Sequence, residues 1–179
     1  TTPGDSPINI DVLDNDFDPD STDALQITEV TQPASGATVS INPDGTVDYD
    51  PGIIFEGLNV GETTTDTFSY TIDDGNGGTA QATTTLTVNA VNDAPLANPD
   101  TYNTTEDTAI TVDVRGNDSD VEGDAISVVS VDGALLTDNV PVPVADGSVT
   151  RLPDGRLVFT PDADFAGSSS FDYGLQDAA

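Results

Sequence analysis

Cysteine, histidine, methionine, tryptophan and lysine are all absent from this chain of 179 residues. Without cysteine there can be no disulfide and no thiolate chemistry. Without histidine the commonest general base and the usual zinc ligand are missing, so Ser-His-Asp catalysis is excluded and structural zinc lacks the Cys and His ligands it ordinarily uses. The lack of lysine removes the phosphate-cradling loop that ends in that residue and any Lys–Asn isopeptide cross-link. Positive charge is nearly missing: Arg115, Arg151 and Arg156 stand against 33 acids, for a formal charge of −30. That balance is wrong for nucleic acid and for anionic membrane surfaces. No apolar run is long enough to cross a bilayer and no secretory leader is visible. Thr1-Thr2-Pro3-Gly4-Asp5 reads as the middle of a longer chain.

The acids present are mostly aspartate. Only Glu29, Glu56, Glu62, Glu106 and Glu122 are glutamate. Aspartate favours turns and metal-binding loops where glutamate would favour helices. The apolar residues alternate, which a disordered acidic tail would not show. No 3.6-residue period persists, and many short strands joined by Gly- and Asp-rich turns predict an all-β fold of antiparallel sandwiches.

The chain repeats itself. Asp11-Val12 answers to Asp113-Val114, Asn15-Asp16 to Asn117-Asp118, and Pro43-Asp44-Gly45 to Pro153-Asp154-Gly155. Phe68-Ser69-Tyr70 answers to Phe171-Asp172-Tyr173. A repeat of about 90–100 residues is a whole small domain rather than a solenoid unit. The expected division is 1–92 and 93–179, with the break at Asn89-Ala90-Val91-Asn92-Asp93-Ala94-Pro95, where Pro95 cannot continue a ladder. Expected strands are 7–13, 25–31, 37–42, 46–50, 66–72 and 79–89 in the first repeat. In the second they are 100–104, 108–114, 125–131, 141–152, 156–160 and 170–175. On this reading repeat 1 lacks a first strand, repeat 2 lacks a last one, and the piece comes from a longer tandem array. The missing last strand would leave a sheet edge open.

Acids cluster at one topological place in both repeats, after the first alternating segment: Asp14, Asp16, Asp18 and Asp20, then Asp118, Asp120, Glu122 and Asp124. In an extended segment, residues i, i+2 and i+4 share a face. Two like charges 4 Å apart cost roughly 4 kcal/mol at an effective dielectric near 20, and a hard divalent cation with oxygen ligands removes that cost. Asp118-x-Asp120-x-Glu122-Gly123 begins like an EF-hand loop, but position 12 would be Val129 and no helices flank it. Gly75-Asn76-Gly77-Gly78 occurs once, unlike the tandem nonapeptides of a calcium β-roll, and reads as a turn. The plain alternative for the clusters is a solvated acidic loop. Paired carboxylates also suit glycoside hydrolysis, but these lie in polar turns, where no carboxyl would be held protonated; the chain is read as not an enzyme. The run Thr83-Thr84-Thr85-Leu86-Thr87 could present hydroxyls to a ligand, though such a strand is ordinarily an exposed edge.

Ile10-Asp11-Val12-Leu13-Asp14-Asn15-Asp16, the Asp44-Gly45-Thr46-Val47-Asp48-Tyr49 hairpin, Phe68-Ser69-Tyr70-Thr71-Ile72-Asp73-Asp74-Gly75 and Val91-Asn92-Asp93-Ala94-Pro95 together resemble bacterial cadherin-like and Ig-like tandem repeats of the VCBS type, found in large RTX-type adhesins. The resemblance implies a secreted, extracellular cell-surface stalk that serves adhesion or biofilm formation, with neighbouring repeats of the same chain as partners. It also implies Ca2+ held where the linker meets the loop after the second strand, through Asn92, Asp93, Asp118, Asp120 and Asp124. No counterpart of the cadherin Asp-Arg-Glu triplet exists; Glu56 or Glu62 is the candidate substitute. Asp14, Asp16 and Asp18 would form the same site toward a preceding repeat, less fully occupied. The alternative is a module that itself binds a carbohydrate or a protein.

Overall fold

The computed structural model describes residues 1–20 and 24–179. They form two compact units, Thr1–Asn92 and Asp93–Ala179. Each is a β-sandwich, as the alternation predicts.

Unit 1 contains β1 (Thr2–Pro3), β2 (Ile8–Ile10), β3 (Gln26–Val30), β4 (Thr38–Ile41), β5 (Val47–Asp50), β6 (Thr63–Asp73) and β7 (Thr79–Asn89). One sheet runs β1-β7-β6-β3 and the other β2-β5-β4. The long hairpin β6–β7 pairs antiparallel over all eleven residues. Alternation puts Phe68 and Tyr70 of β6 inward together with Leu86 and Val88 of β7, facing Val47 and Tyr49 of β5. The β4–β5 turn uses Gly45 at φ +87°, a conformation glycine adopts without steric cost.

Unit 2 contains β8 (Ile110–Val112), a 3-10 turn (Val114–Asn117), β9 (Ser127–Val131), β10 (Ala134–Leu135), β11 (Pro141–Val144), β12 (Gly147–Arg151), β13 (Leu157–Pro161) and β14 (Tyr173–Gln176). Its sheets are β11-β12-β13-β8 and β10-β9-β14. Val112, Val114, Val128, Val131, Leu136, Val149 and Leu157 form its core.

Four details depart from the sequence reading. Repeat 1 does have a leading strand, β1, which pairs parallel with Val88 and Asn89. Residues 100–104, expected as a strand, form none. The expected strand 141–152 is a hairpin, turned at Asp146 in the left-handed region (φ +61°). The expected strand 108–114 ends at Val112, and Val114 instead opens a 3-10 turn, because the Asp113 side chain caps the Arg115 N–H. Both corrections to single strands reflect local turn chemistry that apolar alternation does not report.

The two cores differ in closure. Phe68 is 2% exposed, whereas its counterpart Phe171 is half-buried and stacks on Phe159 with ring centroids 6.3 Å apart. Phe68→Ala is therefore expected to destabilise unit 1 by about 3–5 kcal/mol, and Phe171→Ala to destabilise unit 2 by less. Amide exchange resolved to each unit measures both. Equal losses would contradict the difference in closure.

Candidate metal centre

Many of the described aspartates are occupied by their own turns. Asp11, Asp18, Asp44, Asp50, Asp73, Asp113 and Asp154 each accept a backbone N–H from the residue two positions on. Asp74 accepts the N–H groups of Asn76 and Gly78, and these bonds hold its carboxyl below the usual range. The three arginines pair with Asp113, Asp138 and Asp154. Turn chemistry thus accounts for a good part of the abundant aspartate.

One place is different. In unit 2 the chain after Pro95 runs antiparallel to the acidic loop, fixed by a two-bond bridge: Leu96 N–H donates to Ser119 O at 2.7 Å, and Ser119 N–H to Leu96 O at 3.1 Å. Asn98 N–H donates to Asp118 Oδ1, and the Asn98 amide donates to Asn117 O, both at 2.7 Å. Counting back along this register from Leu96 and Ser119 sets Asp93 opposite Glu122. The Asp93 N–H indeed donates to Glu122 Oε1 at 3.1 Å. Asp120 folds the loop beneath them, its Oδ1 accepting the N–H groups of Glu122 and Asp124 at 3.2 and 3.1 Å.

Each of these three side chains satisfies one function and leaves one oxygen over. Asp93 Oδ2, Asp120 Oδ2 and Glu122 Oε2 are shielded from solvent and have no hydrogen-bond partner. A carboxylate oxygen hidden from water without a donor or cation is costly. Among the described residues, no group of three or more acids is drawn together closely enough to hold a metal ion as it stands. The three left-over oxygens are hard donors, joined through the two backbone bonds above, and of the type a calcium ion uses.

The remaining expected ligands lie elsewhere. Asp118 faces Tyr173: the phenol lies 3.1 and 3.2 Å from its two oxygens and within reach of Asp100 and Asn98 O. Asp16, its counterpart in unit 1, accepts from Tyr70 at 2.8 Å, and that phenol also reaches Val12 O. These two aspartates hold a strand tyrosine to the second-strand loop. Asp124 is half-buried, Asp14 is exposed, and Asp18 caps Asp20 N–H. Glu62 caps Asn59 within the β5–β6 loop, and Glu56 lies half-buried in the same loop of unit 1. Asn92, the last residue of unit 1, is exposed. Glu122 is one of the three residues with a left-over oxygen although it was not among the expected ligands. Its spacing from Asp120 was visible, but that Asp118 is turned toward a tyrosine was not.

Burial, then the neighbouring carboxylate, raises each of these phenols: Tyr70 to about 12, and Tyr173 and the Asp66-bonded Tyr49 likewise upward. A group whose folded pKa is raised gives stability that is complete below its unfolded value near 10 and is lost as pH rises toward its folded value. Phenolate absorbance in the folded protein is therefore expected to develop well above pH 10, with stability falling over the same interval. Phenolate appearing with midpoint near 10 in folded protein would contradict these contacts.

A family model described as bacterial Ig domain matches the chain twice, over residues 1–87 and 92–179. The search of curated proteins gave no match. Two matched copies, each on a seven- or eight-element β unit with the same tyrosine–aspartate tie, identify the chain as a tandem pair belonging to the bacterial Ig domain family.

Proposed function

We propose that this pair is a calcium-stabilised structural extender of a bacterial surface adhesin, of the VCBS or RTX kind, working outside the cell in adhesion or biofilm formation. The observation that carries it is the set of three shielded carboxylate oxygens on Asp93, Asp120 and Glu122. A divalent cation is the simplest group that satisfies all three at once. Calcium suits them better than magnesium, because it accepts irregular oxygen shells.

Asp93 is the first residue of unit 2 and follows the last strand of unit 1 by four positions. An ion that joins Asp93 to Asp120 and Glu122 pins the leading segment to its own sandwich. Neutralising part of the −30 charge also relieves self-repulsion. Unit 1 carries no basic side chain to do so. Tandem duplication supports a spacer over a ligand-binding tip, since extenders are copied and receptors are usually singular.

Calcium binding to the folded state raises stability by RT ln(1 + [L]/Kd), about 2.7 kcal/mol at 100-fold excess over Kd. Melting and titration calorimetry are expected to show a calcium-dependent rise for unit 2. Glu122→Gln and Asp120→Asn should abolish that rise. Asp118→Asn should lower baseline stability through its Tyr173 contact and leave the calcium response in place. Melting indifferent to calcium, or a Glu122→Gln variant that responds like the parent, would defeat the proposal.

A further inference from the structure

One position of the repeat makes the same pair of bonds by two different chemistries. In unit 1, β4 is an outer strand of the sheet β2-β5-β4. Nothing in it discourages pairing. Thr38–Ile41 holds no charge and no proline, runs against β5 without a bulge, and leaves Ile41 38% exposed. An outer strand of the other sheet, β3, carries a bulge between Ile27 and Glu29 and a charge at Glu29, and both spoil an edge. The outward backbone of β4 is nevertheless engaged. The Gln32 side-chain amide donates to Val39 O at 2.9 Å and accepts the Val39 N–H at 3.0 Å. A residue of an added antiparallel strand would make these same two bonds. Asn42 sends its N–H to Thr46 O within the β4–β5 hairpin. Alternation therefore turns Ser40 toward β5, and Val39 and Ile41 away from it.

Unit 2 reaches the same end through its main chain. β12 is the counterpart of β4, and Val149 lies opposite Phe159 as Val39 lies opposite Tyr49. The outer neighbour of β12 is β11, where Val142 pairs with Val149. Gln32 stands 7 residues before Val39, and Val142 stands equally far before Val149. With Val142 turned inward on Val149, alternation turns Pro141 and Pro143 outward. Proline has no N–H, so the outer edge of β11 offers no donor at either position.

We propose that this position guards the molecule against edge-to-edge pairing with a second copy of itself. Gln32 does so in unit 1 by occupying the outward groups of Val39. Val142 does so in unit 2 by anchoring a strand whose outward positions are proline. The partner kept out is a second copy, because β4 is complementary to itself. Two β4 strands laid antiparallel across a two-fold axis set only uncharged residues opposite one another, and each supplies the N–H and C=O groups that the other needs. Elsewhere the charge of −30 keeps copies apart, and along β4 no side chain carries any of it. The guard is independent of the calcium reading: it uses none of Asp93, Asp120 or Glu122.

The test is sedimentation equilibrium of the full chain in about 1 M salt, where the Debye length falls to about 3 Å and long-range repulsion is screened. Hydrogen exchange is followed over the same concentration series. The parent is expected to stay monomeric, and Gln32→Ala to raise the self-association constant at least about tenfold. In that variant the Val39 N–H should exchange faster than in the parent when dilute, and become protected as concentration rises. A merely structural role for Gln32 gives the first change without the second. Adding Ile41→Lys should return the variant to the monomer. A separate chain carrying Pro141→Val and Pro143→Val leaves unit 1 untouched and should associate with new protection at residues 141 and 143. A folded Gln32→Ala chain that stays monomeric up to millimolar concentration would overturn the proposal, as would association that leaves Val39 and Ile41 unprotected or a parent that already pairs through β4. Where unit 1 of Gln32→Ala does not melt cooperatively, the chain without the two prolines decides in its place: association upholds the guard and a monomer overturns it.

Discussion

A carboxylate oxygen hidden from water must find a donor or a cation, and the acidic loops of this protein are organised around that requirement. With 33 acids and three arginines, side-chain partners are scarce. The chain meets the shortage mainly with its own backbone. Aspartate after aspartate turns back on the N–H two residues ahead, and this is also what makes the tight connections between strands. Asp66 shows the same economy inside the core of unit 1, where Ser35, Tyr49 and its neighbour's N–H take up both oxygens. Against that background, three hidden oxygens left over in one loop of unit 2 stand apart from the rest of the acids.

The same loop shows how one sequence motif divides into two tasks. Asp118 and Asp120 are two residues apart and were equivalent on an extended segment. The tight turn at 114–117 and the Leu96–Ser119 bridge instead leave Asp118 on Tyr173 and Asp120 on the N–H groups of Glu122 and Asp124. The Asp118–Tyr173 contact ties the second-strand loop to the sheet across 55 positions of sequence. Asp16 and Tyr70 do the same in unit 1 across 54. A structural tie and a carboxylate oxygen left without a partner thus lie two positions apart in a single acidic run, which is why losing each carboxylate should have a different signature.

Much of the fold was legible. Alternation at Phe68, Tyr70 and Ile72 and at Leu86 and Val88 named core strands, and the recurring Asn-Asp, Pro-Asp-Gly and Phe-x-Tyr elements exposed the duplication. Besides the local turns at 114–117 and 145–146, what failed depends on partners distant in sequence. β1 is too short and too polar to announce itself and exists through its ladder with β7. Residues 100–104 have a comparable composition and no such ladder. At the candidate site, charge density pointed to the loop in which Asp120 and Glu122 each keep an oxygen without a hydrogen-bond partner, as Asp93 does beside it. The exchange of Asp118 for Glu122 followed from a three-dimensional register. One signal was present: Asn-Asp and Phe-x-Tyr recur together in both repeats, as expected of two residues that touch.

The central claim is that Asp93, Asp120 and Glu122 share a calcium ion. A crystal grown in calcium and measured with anomalous scattering tests it most directly. The account predicts one anomalous peak about 2.3–2.6 Å from Asp93 Oδ2, Asp120 Oδ2 and Glu122 Oε2, with Asp118 still bonded to Tyr173. Water alone between those oxygens, or an ion held by Asp118 in place of Glu122, would contradict it.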